Sequence, residues 1–109
     1  MEKNEKIVIR ADPEISNLIP GYLENRRKDI EKMREALEKS DYETIGFIGH
    51  SMKGSGQGYG FGEISAIGHK LEEAANDKNA RTITGQIDEL HNYLQRIEVV
   101  YEWTGKRPG

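Results

Sequence analysis

The sequence predicts an all-α fold, an antiparallel up-down-up-down four-helix bundle with a short or kinked helical segment at its start. Apolar residues recur every three or four positions in four separate stretches, the period of a helix with one buried face. The breaks between those stretches are short and polar or glycine-rich, which turns each helix back against its predecessor. A chain of 109 residues, 35% hydrophobic and 32% charged, suits thin amphipathic helices around one core. On this reading residues 1–11 form an N-terminal arm, 12–103 the bundle and 104–109 a flexible tail.

Ile7-Val8-Ile9 has extended character, but no second strand pattern is found to pair with it, so a tucked arm is expected and no sheet. Asp12-Pro13-Glu14 reads as a helix start. The carboxylate caps, the proline sits where its missing N–H costs nothing, and the glutamate favours the dipole. The first stripe is Ile15, Leu18, Ile19, Tyr22, Leu23, Ile30, Met33 and Leu37, with the stem of Arg26 laid along the core edge. Pro20-Gly21 interrupts it: either one helix kinks there, or a short opening helix stops and a longer one begins at Pro20.

Asp41 is positioned to cap a second helix running from about Tyr42 to about Tyr59, with Tyr42, Ile45, Ile48, Met52, Ser55 and Tyr59 inward and Gly60-Phe61-Gly62 as a left-handed exit. Ile64, Ile67, Leu71, Ala74 and Ala75 define a third helix, broken by Asn76-Asp77-Lys78-Asn79. Ile83, Ile87, Leu90, Leu94, Ile97 and Tyr101 step by fours and threes and make the fourth. The small residues Ser55, Gly56, Gly68, Ala74 and Ala75 allow helices to approach closely.

Composition narrows the function classes. A net charge of −3 supplies no basic field for phosphate backbones, and the aromatics do not alternate with lysine or arginine, so nucleic acid is not an expected partner. The absence of cysteine removes disulfides and thiolate metal sites. No segment has the apolar length of a membrane span, and the start Met1-Glu2-Lys3-Asn4-Glu5-Lys6 lacks the hydrophobic core of a secretion signal, so a cytoplasmic protein is expected. The charged outer faces and the lack of a second apolar stripe favour a monomer.

The most informative stretch is Gly49-His50-Ser51-Met52-Lys53-Gly54-Ser55-Gly56. Glycine in a helix costs about 1 kcal/mol relative to alanine, so Gly46, Gly49, Gly54, Gly56 and Gly58 burden a segment whose apolar spacing says helix. On a helical projection His50 lies opposite the core stripe. Gly46 and Gly54 fall one turn to either side of it, and Lys53 and Gln57 lie alongside. A histidine with lysine at i+3 is ordinarily solvated surface, and core packing accounts for the inward glycines, Gly49 and Gly56. It does not account for the bare surface around the imidazole. Imidazole titrates near ~6.5, so at neutral pH its free base can attack phosphorus. Lys53 can reach the phosphoryl oxygens, and with a reactive acyl phosphate as donor the remaining task is alignment and charge neutralisation.

His50-Ser51-Met52-Lys53-Gly54-Ser55, with Gly60 ten residues after the histidine, resembles the signature of histidine-containing phosphotransfer (HPt) domains. The resemblance covers most of the chain. It implies a carrier rather than an autonomous kinase. His50 would be the phosphoacceptor, taking a phosphoryl group from the aspartyl phosphate of a receiver domain and passing it to another in two-component signalling. Lys53 would stabilise phosphoryl charge, Gly54 would leave room for the partner, and Gln57 would hydrogen-bond near the imidazole. Receivers, and a hybrid histidine kinase as a further partner, would dock over Gly46, Phe47, His50, Gly54, Gln57 and Phe61. No cofactor is implied in this chain; magnesium belongs to the receiver's acidic pocket. Met52 replaces the commoner leucine, and Gly56 and Gly58 depart from the pattern in the last turn.

Other motif readings fail on spacing. Ser55 stands where a phosphate-binding loop has lysine, and Tyr59 or Phe61 occupies the last glycine of G-x-G-x-x-G. His69 and His91 lack a second ligand at i+3 or i+4, so no metal site is expected. Arg26-Arg27-Lys28 and Glu72-Glu73 read as solvated faces available to a docking rim. The alternative function is a helical adaptor that binds a partner through the same face without phosphoryl chemistry.

Overall fold

The computed structural model describes residues 5–102, so the readings for Met1–Asn4 and for the tail at 104–109 lie outside the described residues. Four helices, Ile19–Glu38 (α1), Tyr42–Ser55 (α2), Gly62–Asn76 (α3) and Ala80–Arg96 (α4), form the bundle. They enclose one core in which Met33, Ile45, Met52, Phe61, Ile64, Leu71, Ile83, Ile87 and Leu90 are fully buried. Each such side chain contributes about 1.5–3 kcal/mol by leaving water. Among the described residues no helix is long and apolar enough to cross a membrane.

The chain start resolves the two alternatives at Pro20. Asp12 accepts the Glu14 N–H at 2.9 Å and caps only a 3₁₀ turn, Pro13–Ile15. The long helix then begins at Ile19, with Pro20 in its first turn, where no N–H is needed. Leu18, expected in the core stripe, precedes that helix and is exposed. Arg26 lies along the core edge as its position suggested. Its guanidinium sits 4.5 Å from the Tyr22 ring centroid, and its Nε donates to Asp29 Oδ2 at 2.8 Å.

Asp41 caps α2 through both carboxylate oxygens, Oδ1 accepting from the Thr44 N–H (3.1 Å) and Oδ2 from its hydroxyl (2.7 Å). These bonds, the hydroxyl first, hold its carboxyl below the ordinary range. The α-helix ends at Ser55, short of Tyr59, and continues as a 3₁₀ turn, Gln57–Tyr59. Gly56 stands between the two: a methyl group there would lie 2.7 Å from the Ser65 nitrogen and 2.8 Å from the Phe61 carbonyl oxygen, so backbone passes against backbone. Gly60, at φ 92°, then takes the left-handed exit. Asn79 caps α4 by accepting the Thr82 N–H at 3.1 Å.

The expectation of no sheet is overturned. Ile7–Ala11 (β1) and Ile97–Tyr101 (β2) pair in parallel, Ile7 opposite Ile97 and Ala11 opposite Tyr101. Parallel strands need a long crossover, and here the whole bundle supplies it. Ile97 and Tyr101, placed on the fourth helical stripe by their spacing, fit a period of two equally well with Val99 between them. The β-branched run favours the strand, and the helix stops at Arg96. Ile7, Ile9, Ile97 and Val99 pack on the core, whereas Tyr101 remains exposed.

Candidate functional site

The position of α3 against α2 sets the site. Gly49 and Gly68 meet back to back: a methyl group at Gly68 would lie 2.5 Å from the Lys53 nitrogen and 2.6 Å from the Gly49 carbonyl oxygen. Only a glycine pair permits that approach. It brings the next turn of α3, with Glu72, beside the outer face of α2. Ile45, Ile48, Gly49 and Met52 face the core, which turns His50 and Lys53 outward.

The His50 side chain is 66% exposed. Its Nδ1 lies 3.0 Å from Glu72 Oε2, and Lys53 Nζ lies 2.9 Å from Glu72 Oε1, so one carboxylate bridges both groups. The Lys53 hydrogen bond, more than that from His50, holds the Glu72 carboxyl below the usual range against the opposing effect of burial. An ionised carboxylate can only accept. The proton between Glu72 and the imidazole is therefore on Nδ1, which in the neutral ring leaves the lone pair on Nε2.

Of the glycines flanking His50, Gly54 faces open space, with nothing within 4 Å of where a side chain would begin; Gly46 is in ordinary contact with Ala75 across the helix pair. Phe47, one turn before His50, is 73% exposed. Gly46 and Phe47 border an open groove of about 840 Å³ between α2 and α3, lined among others by Tyr42, His50, Lys53, His69 and Glu72.

Two expected site residues are placed elsewhere. Phe61 is fully buried, its ring stacked 6.0 Å from Tyr22, because it closes the end of the bundle ahead of α3; no docking protein can touch it. Gln57 is exposed, but it lies two helical turns beyond His50 in the 3₁₀ segment. Its N–H donates to the Ser65 hydroxyl at 2.8 Å, and it is Glu72 instead that accepts from the imidazole. Sequence reasoning passed over Glu72 as solvated surface. Its place follows from the register of Gly68 with Gly49, one turn before Glu72 and Lys53 respectively, which only the packed helices set. His69, an exposed residue, also lines the groove and lies 3.4 Å from Glu73. Among the described residues no three His, Cys, Asp or Glu side chains gather as a metal site.

No curated protein and no solved structure gave a significant match to the chain. The family model for the Hpt domain matches residues 18–99, a span that takes in all four helices, the outward histidine and its lysine and glutamate partners. With most of its length covered by that model and a four-helix bundle beneath it, the chain belongs to the Hpt domain family, the phosphotransfer carriers of two-component phosphorelays.

Proposed function

We propose that His50 is the phosphoacceptor, taking a phosphoryl group from a receiver-domain aspartyl phosphate and handing it to a second receiver. The observation that carries this reading is an outward imidazole whose Nδ1 is tied to Glu72. In the forward step the Nε2 lone pair attacks phosphorus, the bond to the aspartate oxygen breaks, and the carboxylate leaves. The imidazole, keeping its Nδ1 proton, becomes cationic, and Glu72 stabilises that charge. The return step reverses these changes on the second receiver.

Lys53 is close enough to move from Glu72 to the phosphoryl oxygens as they arrive, neutralising charge that would otherwise build up at the interface. Glu72 acts as a positioning residue that fixes the tautomer. The bare backbone at Gly54 and the exposed ring of Phe47 offer a receiver a flat contact beside an apolar knob. Magnesium would be supplied by the receiver. Incubation with a phosphorylated receiver should label the protein with a modification labile in acid and stable in base, and His50→Gln should abolish it while folding normally. A partner that binds tightly without labelling the protein would instead indicate an adaptor.

A further inference from the structure

The sheet formed by β1 and β2 has an edge whose surroundings are specific. In a parallel ladder, alternate residues of a strand turn their N–H and C=O toward the same neighbour. The Glu102 N–H bonds the Ala11 carbonyl at 3.0 Å, which assigns Ile7, Ile9 and Ala11 to the β2 side. The N–H and C=O of Val8 and Arg10 therefore point to the opposite edge, and among the described residues no third strand pairs there. A groove of about 430 Å³ runs along β1, lined by Ile7, Ile9, Glu63, Glu89, Tyr93 and Arg96 among others and by no residue of β2. It thus flanks the open edge. Its walls combine two isoleucines with two exposed carboxylates, and its one cation, Arg96, donates through Nε to the Glu5 carbonyl at 2.7 Å at the start of the strand.

We propose that this edge and its groove form a docking site for an extended, basic peptide segment of a partner protein, which adds to β1 as a third strand. Main-chain bonds to Val8 and Arg10 would hold the segment, alternate apolar side chains would cover Ile7 and Ile9, and a lysine or arginine would meet Glu63 and Glu89. The charges decide against a second copy as occupant. Two-fold pairing of β1 with itself would bring two acidic grooves together in a chain of net charge −3, and Arg10, the strand's cation, is already paired with Glu102 on its own sheet. Tyr93, whose phenol is pushed up to about 12 by burial with the charge of Glu63 adding to it, is uncharged at neutral pH as any tyrosine is, so the carboxylates are the groove's dominant charge.

The proposal does not depend on phosphoryl transfer, so His50→Gln should leave peptide binding intact. The probe is a short synthetic peptide with threonine at every second position and two valines followed by two lysines at the positions between, so that valines and lysines share the face turned to the groove; it is titrated into the protein and followed by amide exchange and fluorescence anisotropy. Saturable binding with new protection at the Val8 and Arg10 amides is expected, and a peptide with glutamate for lysine should not bind. Val8→Pro removes a donor from the open edge while sparing the ladder to β2, so the variant should fold and lose binding. Glu63→Gln and Glu89→Gln should each weaken binding by about three-fold. The proposal is overturned if the lysine peptide fails to bind, if it binds Val8→Pro or the glutamate peptide binds as well, or if the edge amides are already protected in a dimer seen by sedimentation.

Discussion

Replacing Gly68 by alanine should destabilise the bundle even though alanine is the better helix former. The added methyl would lie 2.5 Å from the Lys53 nitrogen, 2.6 Å from the Gly49 carbonyl oxygen and 2.8 Å from Met52 Cβ. Relief requires α2 and α3 to separate by about 1 Å, because comfortable contact begins near ~3.5 Å and two of the three neighbours are backbone. That movement loosens packing along the helix pair, including around Met52 and Leu71. Overpacking of this kind costs about 1–3 kcal/mol and exceeds the propensity gain, so a net loss of about 2 kcal/mol is expected. In urea denaturation the midpoint should fall by roughly 1 M at unchanged slope. Gly54→Ala is the internal control, since its methyl meets open space: the bundle should gain about 0.5 kcal/mol while transfer from a receiver slows, because the new side chain stands in the contact. A Gly68→Ala protein as stable as the wild type would refute the close-approach argument. A Gly54→Ala protein with unchanged transfer would refute the claim that its bareness serves docking.

Glu72→Gln keeps the shape but loses the charge that draws the proton to Nδ1 and holds Lys53, so phosphoryl transfer from a receiver should slow about tenfold with the helical circular dichroism unchanged. Arg26→Ala leaves the largely buried Asp29 carboxylate unpaired and strips the cation from the Tyr22 ring; thermal and urea unfolding should show a loss of about 2 kcal/mol. Asp41 and Glu72 both have carboxyls lowered in the folded state from ordinary values of 3.8 and 4.5, so their contribution is complete above those values and is lost as pH falls below them through the lower folded-state values. Urea midpoints measured from pH 6 downward should therefore drop more for the wild type than for an Asp41→Asn, Glu72→Gln double variant.

The four helices were legible because one-sided burial imposes a period that no loop mimics, and the cap at Asp41 lies where local chemistry alone decides. The outward histidine was legible for the same reason, since the core stripe of α2 fixes the opposite face. Other features required knowledge of distant partners. Ile97 and Tyr101 satisfy two periods at once, and only the presence of β1, about ninety residues earlier, settles the matter. Phe61 sits in a glycine-rich turn that looks exposed locally, but the aromatic cluster at Tyr22 and Tyr59, whose rings stack at 4.2 Å, draws the bundle end closed over it. Glu72 became part of the site through the Gly49–Gly68 abutment, a contact between helices rather than a local pattern.

The central claim is that Nε2 of His50 carries the phosphoryl group because Glu72 holds the proton on Nδ1. Phosphorus–nitrogen correlation spectra of nitrogen-labelled protein, phosphorylated by a charged receiver, test it directly. The account predicts one phosphorus signal coupled to Nε2 of His50 and lost in His50→Gln. Phosphorus on Nδ1, on His69 or His91, or on no histidine at all would contradict it.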